Sequence, residues 1–440
     1  MHVKKSAPFT GIPLKSSVLL ASAMFLAACG GSSGSSDDAH TDTDIDTAGR
    51  LALFDTGASQ LKILDLDSSD VLSSIAMSGE VPALYASPGN RYVVATQRGD
   101  NLVSFVDSGL YTEDHGDHMH DYAETPSQLS LTLNDHKPTH FTVGDSYGIV
   151  FFDGDDAAAS SRVTVFTDET LGSNSTLASL DLESSMHGVA MMADGHLFVT
   201  YRDSSIAGTT LPTMVERYHL DGSNFEFEER YTDTCSALHG SAMGAHSIGF
   251  GCGDGVLIID LHEAGYPTIK LTNPENLAEG SRIATLLGNH DVEELVALAG
   301  DQMFVIDAEA ESESGVYTDL DLGTGVAPLA QGFTTHGEVF YVLGDDGGLR
   351  LFAPSSDWAP LGTVQVMDAP GEDDGSPSIA LSSAQDRMFV LTPDGQSVIE
   401  VDTDHGETVR TIDLGFSASG IAWVGLAEAG HDHDDEEHSH

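Results

Sequence analysis

Histidines and carboxylates gather in three places along the chain, each with the composition of a metal-binding segment. The densest is Tyr111-Thr-Glu-Asp-His-Gly-Asp-His-Met-His-Asp-Tyr122, in which His115, His118 and His120 are interleaved with Asp114, Asp117 and Asp121. Neutral imidazole suits Zn2+, Cu2+ and Ni2+, and a neighbouring carboxylate such as Asp117 can complete a ligand set or orient a ring. The segment reads as a flexible capture loop, and its plainer reading is a solvated polar loop. The second group is visible only once repeats are aligned. His140 in Pro138-Thr-His-Phe-Thr, His187 in Met186-His-Gly-Val-Ala and His239 in Leu238-His-Gly-Ser-Ala each open the first strand of three consecutive repeats. Three imidazoles converging on one channel rim would make a ligand shell for tetrahedral Zn2+, with a fourth place for water, an acid or a residue of the loop. The alternative is three separately hydrogen-bonded residues in a wet channel. The third group is the end of the chain, Gly430-His-Asp-His-Asp-Asp-Glu-Glu-His-Ser-His440, which would bind metal weakly and exchange it quickly, or be a plain disordered tail.

The elements that must position these residues are short strands. From about residue 50 an apolar, β-branched strand recurs at Leu51–Phe54, Tyr92–Ala95, Gly148–Phe151, Leu197–Thr200, Ser247–Phe250, Leu295–Leu298, Val339–Val342 and Met388–Leu391. A period of roughly forty to fifty-six residues, with turn residues between strands, belongs to four-stranded propeller blades. The expected fold is therefore an all-β propeller of eight blades, with seven as the alternative. Ser419-Gly-Ile-Ala-Trp-Val424 looks like a first strand without the rest of its blade, and residues 50–79 look like a blade without its first strand. Pairing the two would close the ring and leave no open edge. Loop 111–122 emerges one strand before His140, so it is expected to reach the same rim.

The chain ends carry address information. Lys4, Lys5 and Lys15, a short apolar run from Val18 to Leu26, and Leu26-Ala27-Ala28-Cys29 have the form of a lipoprotein signal peptide, with cleavage before a lipid-bearing Cys29. The run is too short to span a bilayer stably. The expected organisation is a signal peptide at 1–28, a lipidated Cys29 with a flexible acidic tether to residue 49, a propeller at 50–425 and a tail at 426–440. Gly30 follows Cys29 where an Asp would favour the inner membrane, so anchoring at the outer membrane, in the periplasm or at the cell surface, is expected. Cys235 and Cys252 then remain as a pair in an oxidising compartment, lying opposite each other if Cys235–Cys252 folds as two strands turning near Gly244; a thiolate metal site is the rival. With 70 acids against 17 Lys and Arg, a formal charge of -53 excludes nucleic acid and anionic lipid as partners and favours cations. Contact with a membrane is expected through the lipid anchor alone.

With the lipobox, the repeats, the HGDHMH loop and the segment CSALHGSA...GFGCGDGV read, the chain resembles the AztD-type zinc metallochaperones over roughly residues 50–425. The resemblance implies a periplasmic or cell-surface propeller, acting as a monomer, that hands Zn2+ to the solute-binding protein of a zinc ABC importer. It implies capture at His115, His118 and His120, and a structured site among His140, His187 and His239. Enzymatic activity is not expected: there is no G-x-S-x-G elbow, nucleotide-binding glycine pattern or Cys nucleophile with a base. The two rival readings are a metal-dependent propeller hydrolase or lactonase, and a protein-binding scaffold without stoichiometric metal.

Overall fold

The computed structural model describes residues 44–427 apart from 117, 156–158, 207–208, 309–315 and 372–373. The expected signal peptide, Cys29, most of the expected tether, Asp117 and the histidine-rich end of the chain lie outside the described residues.

Strands rich in Val, Ile, Leu and Phe are stable only where both faces are covered, and the eight expected strands occupy such positions. Each is the second strand of a four-stranded antiparallel sheet, and there are eight such sheets. Arg50–Asp55, Tyr92–Gln97 and Ser247–Cys252 are buried at every residue. Their side chains pack between successive sheets, so the core is a ring of blade-to-blade layers: Phe389 and Leu391 against Leu51 and Trp423, for example, and Val189 and Phe198 against Phe250 and Leu257.

The ring closes as the strand count requires. Ala418–Val424 pairs antiparallel with Arg50–Asp55, with Arg50 opposite Val424 and Leu53 opposite Ile421. The first blade is thus assembled from both ends of the chain. The tether does not stay free up to residue 49. Its described end packs on the propeller: the Trp423 indole donates to Ala48 O at 3.0 Å, and the Ile45 amide donates to the Asp121 carboxylate at 3.0 Å.

Because every strand in a blade reverses direction, connections sort onto two faces. The entry into each first strand and the turn between second and third strands lie on one face; the other two turns of the blade lie on the opposite face. His140, His187 and His239 belong to entry segments. The 111–122 segment connects the third strand, Leu102–Asp107, to the fourth, Ser127–Leu133, and so belongs to the opposite, far face. The expectation that it reaches the rim site is therefore corrected: the two are separated by the length of a blade, about 17–20 Å for five- or six-residue strands. Nor is the segment a floppy loop. Leu110–Asp114 and Met119–Ala123 form an antiparallel hairpin, held by stacked Tyr111 and Tyr122 rings at 4.9 Å and by the Arg91 guanidinium 3.6 Å above Tyr111.

A candidate metal centre on the entry face

His140 lies on the first strand of the third blade, Pro138–Gly144. His187 and His239 stand just ahead of the first strands of the next two blades, Ala190–Ala193 and Ser241–Met243, so they sit in the entry segments and not on the strands themselves. Adjacent blades present equivalent entry positions side by side, and this brings the three rings together. The centroids of His187 and His239 are 5.0 Å apart, those of His140 and His187 4.9 Å, and those of His140 and His239 5.9 Å. One nitrogen from each ring falls in a group whose members all lie within 4.8 Å of one another.

The hydrogen bonds around the rings decide which nitrogen is available. His187 Nδ1 is 3.0 Å from an Asp153 oxygen, and His239 Nδ1 is 2.8 Å from the Ala284 carbonyl oxygen. A carbonyl oxygen only accepts, so His239 carries its proton on Nδ1; a carboxylate imposes the same on His187. In the neutral rings both Nε2 atoms are then bare lone pairs, and they face each other at 3.1 Å. Two lone pairs at that distance repel unless a cation lies between them, either a shared proton or a metal ion. Two nitrogens bound tetrahedrally to Zn2+ are about 3.3 Å apart, which is close to this separation.

The third ring, His140, is set by its burial. Burial pushes the His140 imidazole down to about 4, so His140 is neutral and ready to ligate at neutral pH. Burial alone would raise the Asp153 carboxyl, but hydrogen bonds from His187 and Arg98 outweigh it and hold the group below its ordinary range. Arg98 Nη2 donates to Asp153 at 2.9 Å from the neighbouring second blade. This carboxylate–histidine pair is the arrangement that orients metal-bound imidazoles. An open cavity of about 260 Å³ lined by Arg98, Asp153, Met186, His187 and Thr210 lies against the site.

Two glycines and a disulfide hold the entry segments in place. Gly240, at φ +74°, lets the chain turn directly after His239; a Cβ there would meet the Ala284 carbonyl at 2.6 Å. A Cβ at Gly188, directly after His187, would strike Thr200 Oγ1 and the Phe151 ring. Cys235 and Cys252 are bonded, with Cα atoms 5.0 Å apart. Cys252 ends a second strand as expected, but Cys235 lies in the entry segment before the first strand and not on a strand paired with it. The bond therefore fastens to the blade the segment that carries His239.

The hairpin histidines cluster differently. His115 stacks on His118 at 5.3 Å and is 5.7 Å from His120, while His120 stacks on Tyr122 at 4.5 Å. Among the described residues, these three do not form a group with all donor atoms within 4.8 Å.

Residues 48–424 thus combine an eight-bladed ring with a three-histidine centre. No family model matches the chain. The zinc chaperone AztD of Citrobacter koseri is 26% identical over 414 residues, covering 91% of this chain and 93% of that protein. This chain resembles AztD. The solved structure of apo AztD from the same organism superposes with a TM-score of 0.72 at 22% identity, over 88% of this chain and all of that one, and a second AztD crystal structure gives 0.70. AztD and this chain share the eight-bladed fold. The dihydro-heme d1 dehydrogenase NirN matches at a TM-score of 0.58 with 10% identity, a likeness of fold alone. AztD is named a zinc chaperone, in line with the expectation of a zinc metallochaperone.

Sequence reasoning did not find Asp153, Arg98 or the Ala284 carbonyl. Their roles depend on how neighbouring blades pack. The glycines after His187 and His239 were a usable signal, since the same His-Gly pair opens two successive blades.

Proposed function

We propose that the chain is an exported zinc chaperone that holds one Zn2+ between His140, His187 and His239 and passes it to the zinc-binding solute-binding protein of an ABC importer. The observation that carries this reading is the 3.1 Å approach of the Nε2 atoms of His187 and His239, each ring held by an acceptor at Nδ1, with His140 beside them. Three imidazoles leave one position of a tetrahedral ion open, so a ligand of the partner can enter before the histidines leave. The likeness to the zinc chaperone AztD supports zinc as the cargo. His115, His118 and His120 act as a separate collecting site on the far face, to which Asp117, outside the described residues, is assigned from the sequence, and the acidic surface draws cations to both. The protein works as a monomer, tethered through lipid on Cys29 at the outer membrane, with the tether allowing it to meet its partner.

Zinc retained after passage over a weak chelator tests this. The parent should keep a stoichiometric ion, and His140→Ala/His187→Ala/His239→Ala should keep one fewer. Equal retention would refute the site.

A further inference from the structure

All described histidines other than His136, His140, His187 and His239 sit on the far face of the ring. On the fourth blade two of them meet a carboxylate. His196 opens the second strand, His196–Tyr201, and pairs directly with His219 on the third strand, which pairs in turn with Glu226 on the fourth. Side chains opposite each other in a ladder share a face. A register shift between Arg217 and Tyr218 leaves Glu228 as an extra residue in the fourth strand, and this bulge turns its carboxylate onto the same face. The His196 and His219 rings are 5.1 Å apart, and one donor atom each from His196, His219 and Glu228 fall within 4.8 Å of one another.

The tautomer of His196 supplies a second, independent observation. Its Nδ1 is 2.8 Å from the Asp194 carbonyl oxygen, so Nδ1 carries the proton and Nε2 is a lone pair in the neutral ring. That Nε2 lies 3.4 Å from a Glu228 oxygen. A nitrogen lone pair facing a carboxylate oxygen needs a cation between them, either a proton, which makes an ion pair, or a metal ion, and the separation matches that of two tetrahedral ligands on Zn2+, about 3.3 Å. The Arg217 guanidinium donates to Glu228 at 2.8 Å and to the Gly265 carbonyl, which fixes the carboxylate's orientation. The Tyr266 ring packs against His196 at 5.0 Å, with its hydroxyl 3.4 Å from His196 Nδ1.

We infer that His196, His219 and Glu228 form a second site for a divalent transition metal on the far face of the fourth blade. It shares no ligand with the rim site and stands whether or not the rim site carries zinc to a partner. Two imidazoles and one carboxylate on a surface that is open at His219 give a site weaker than the rim centre and faster to exchange. Neighbouring Glu226 offers a further oxygen to an arriving ion.

The test uses the folded chain and Zn2+ alone. Bound zinc at saturation should fall by about one ion per chain on His219→Ala, both in the parent and in a chain carrying His140→Ala/His187→Ala/His239→Ala. His219 is exposed, so this change should leave the melting temperature unaltered. Glu228→Gln should weaken the same ion about tenfold. In zinc-soaked crystals an anomalous peak should lie between His196 Nε2 and Glu228. Unchanged stoichiometry on His219→Ala in both backgrounds, with no such peak, would show a plain histidine–glutamate ion pair and overturn the assignment.

Discussion

His187 and His239 point their Nε2 atoms at each other across 3.1 Å, while the Nδ1 of each is already bonded, one to Asp153 and the other to the Ala284 carbonyl. The scaffold therefore presents the two lone pairs to an ion before one arrives. The groups that fix this state should matter to affinity nearly as much as the ligands themselves.

Asp153→Asn removes the charge that orients His187 and allows the ring to flip its tautomer. Zinc affinity, measured by chelator competition, should drop by about 10–100-fold with all three histidines intact. An unchanged affinity would show that Asp153 serves only the Arg98 ion pair.

Gly240→Ala should damage the site without touching a ligand. Its φ of +74° is unfavourable for Ala, and the new methyl would collide with the backbone that receives His239 Nδ1. The expected outcome is a loss of about 1–3 kcal/mol of stability in denaturant unfolding, with weaker zinc binding. Gly323→Ala, in the connection between the sixth and seventh blades with no atoms near the added methyl, separates the two causes: it should cost stability through its φ of +97° and leave zinc binding unchanged.

The zinc-free chain should carry an acid penalty at His140. Its folded value of about 4 lies below the ordinary 6.5, so the unfolded chain takes up a proton first as pH falls. Stability is then lost between about pH 6.5 and pH 4, on the order of 1–3 kcal/mol, and does not change further from this source below that range. His140→Gln should remove this part of the slope. Unfolding free energies measured in chelator at pH 7 and pH 4.5 should differ less in the variant than in the parent; equal differences would contradict the buried, neutral assignment.

Closure makes the last blade residues structural. Because Ala418–Val424 is the first strand of the blade begun at Arg50, removing residues 416–440 leaves Arg50–Asp55 unpaired on one side and should unfold the ring. Removing 428–440 alone should leave the melting temperature within a few degrees of the parent.

The blades were legible because strands covered on both sides must be apolar along their length, and Tyr92–Gln97 or Ser247–Cys252 read so without any structure. His140, His187 and His239 were legible because they share one phase of the repeat. The placement of the hairpin was missed although counting strand reversals from Leu102–Asp107 would have set it on the far face. Asp153, Arg98 and Ala284 come from three different blades, and nothing local in sequence marks their meeting at one site. The pairing of His196 with Glu228 depends on a bulge, which a simple alternation of faces does not reveal.

Transfer itself is the most direct measurement. The parent and the His187→Ala/His239→Ala variant would each be loaded with one equivalent of Zn2+ and mixed with a metal-free zinc-binding solute-binding protein in the presence of a chelator that traps free ion. The parent should deliver its zinc to the partner ahead of the chelator, while the variant should lose it to the chelator. Delivery at the same rate and yield by both proteins would contradict the account.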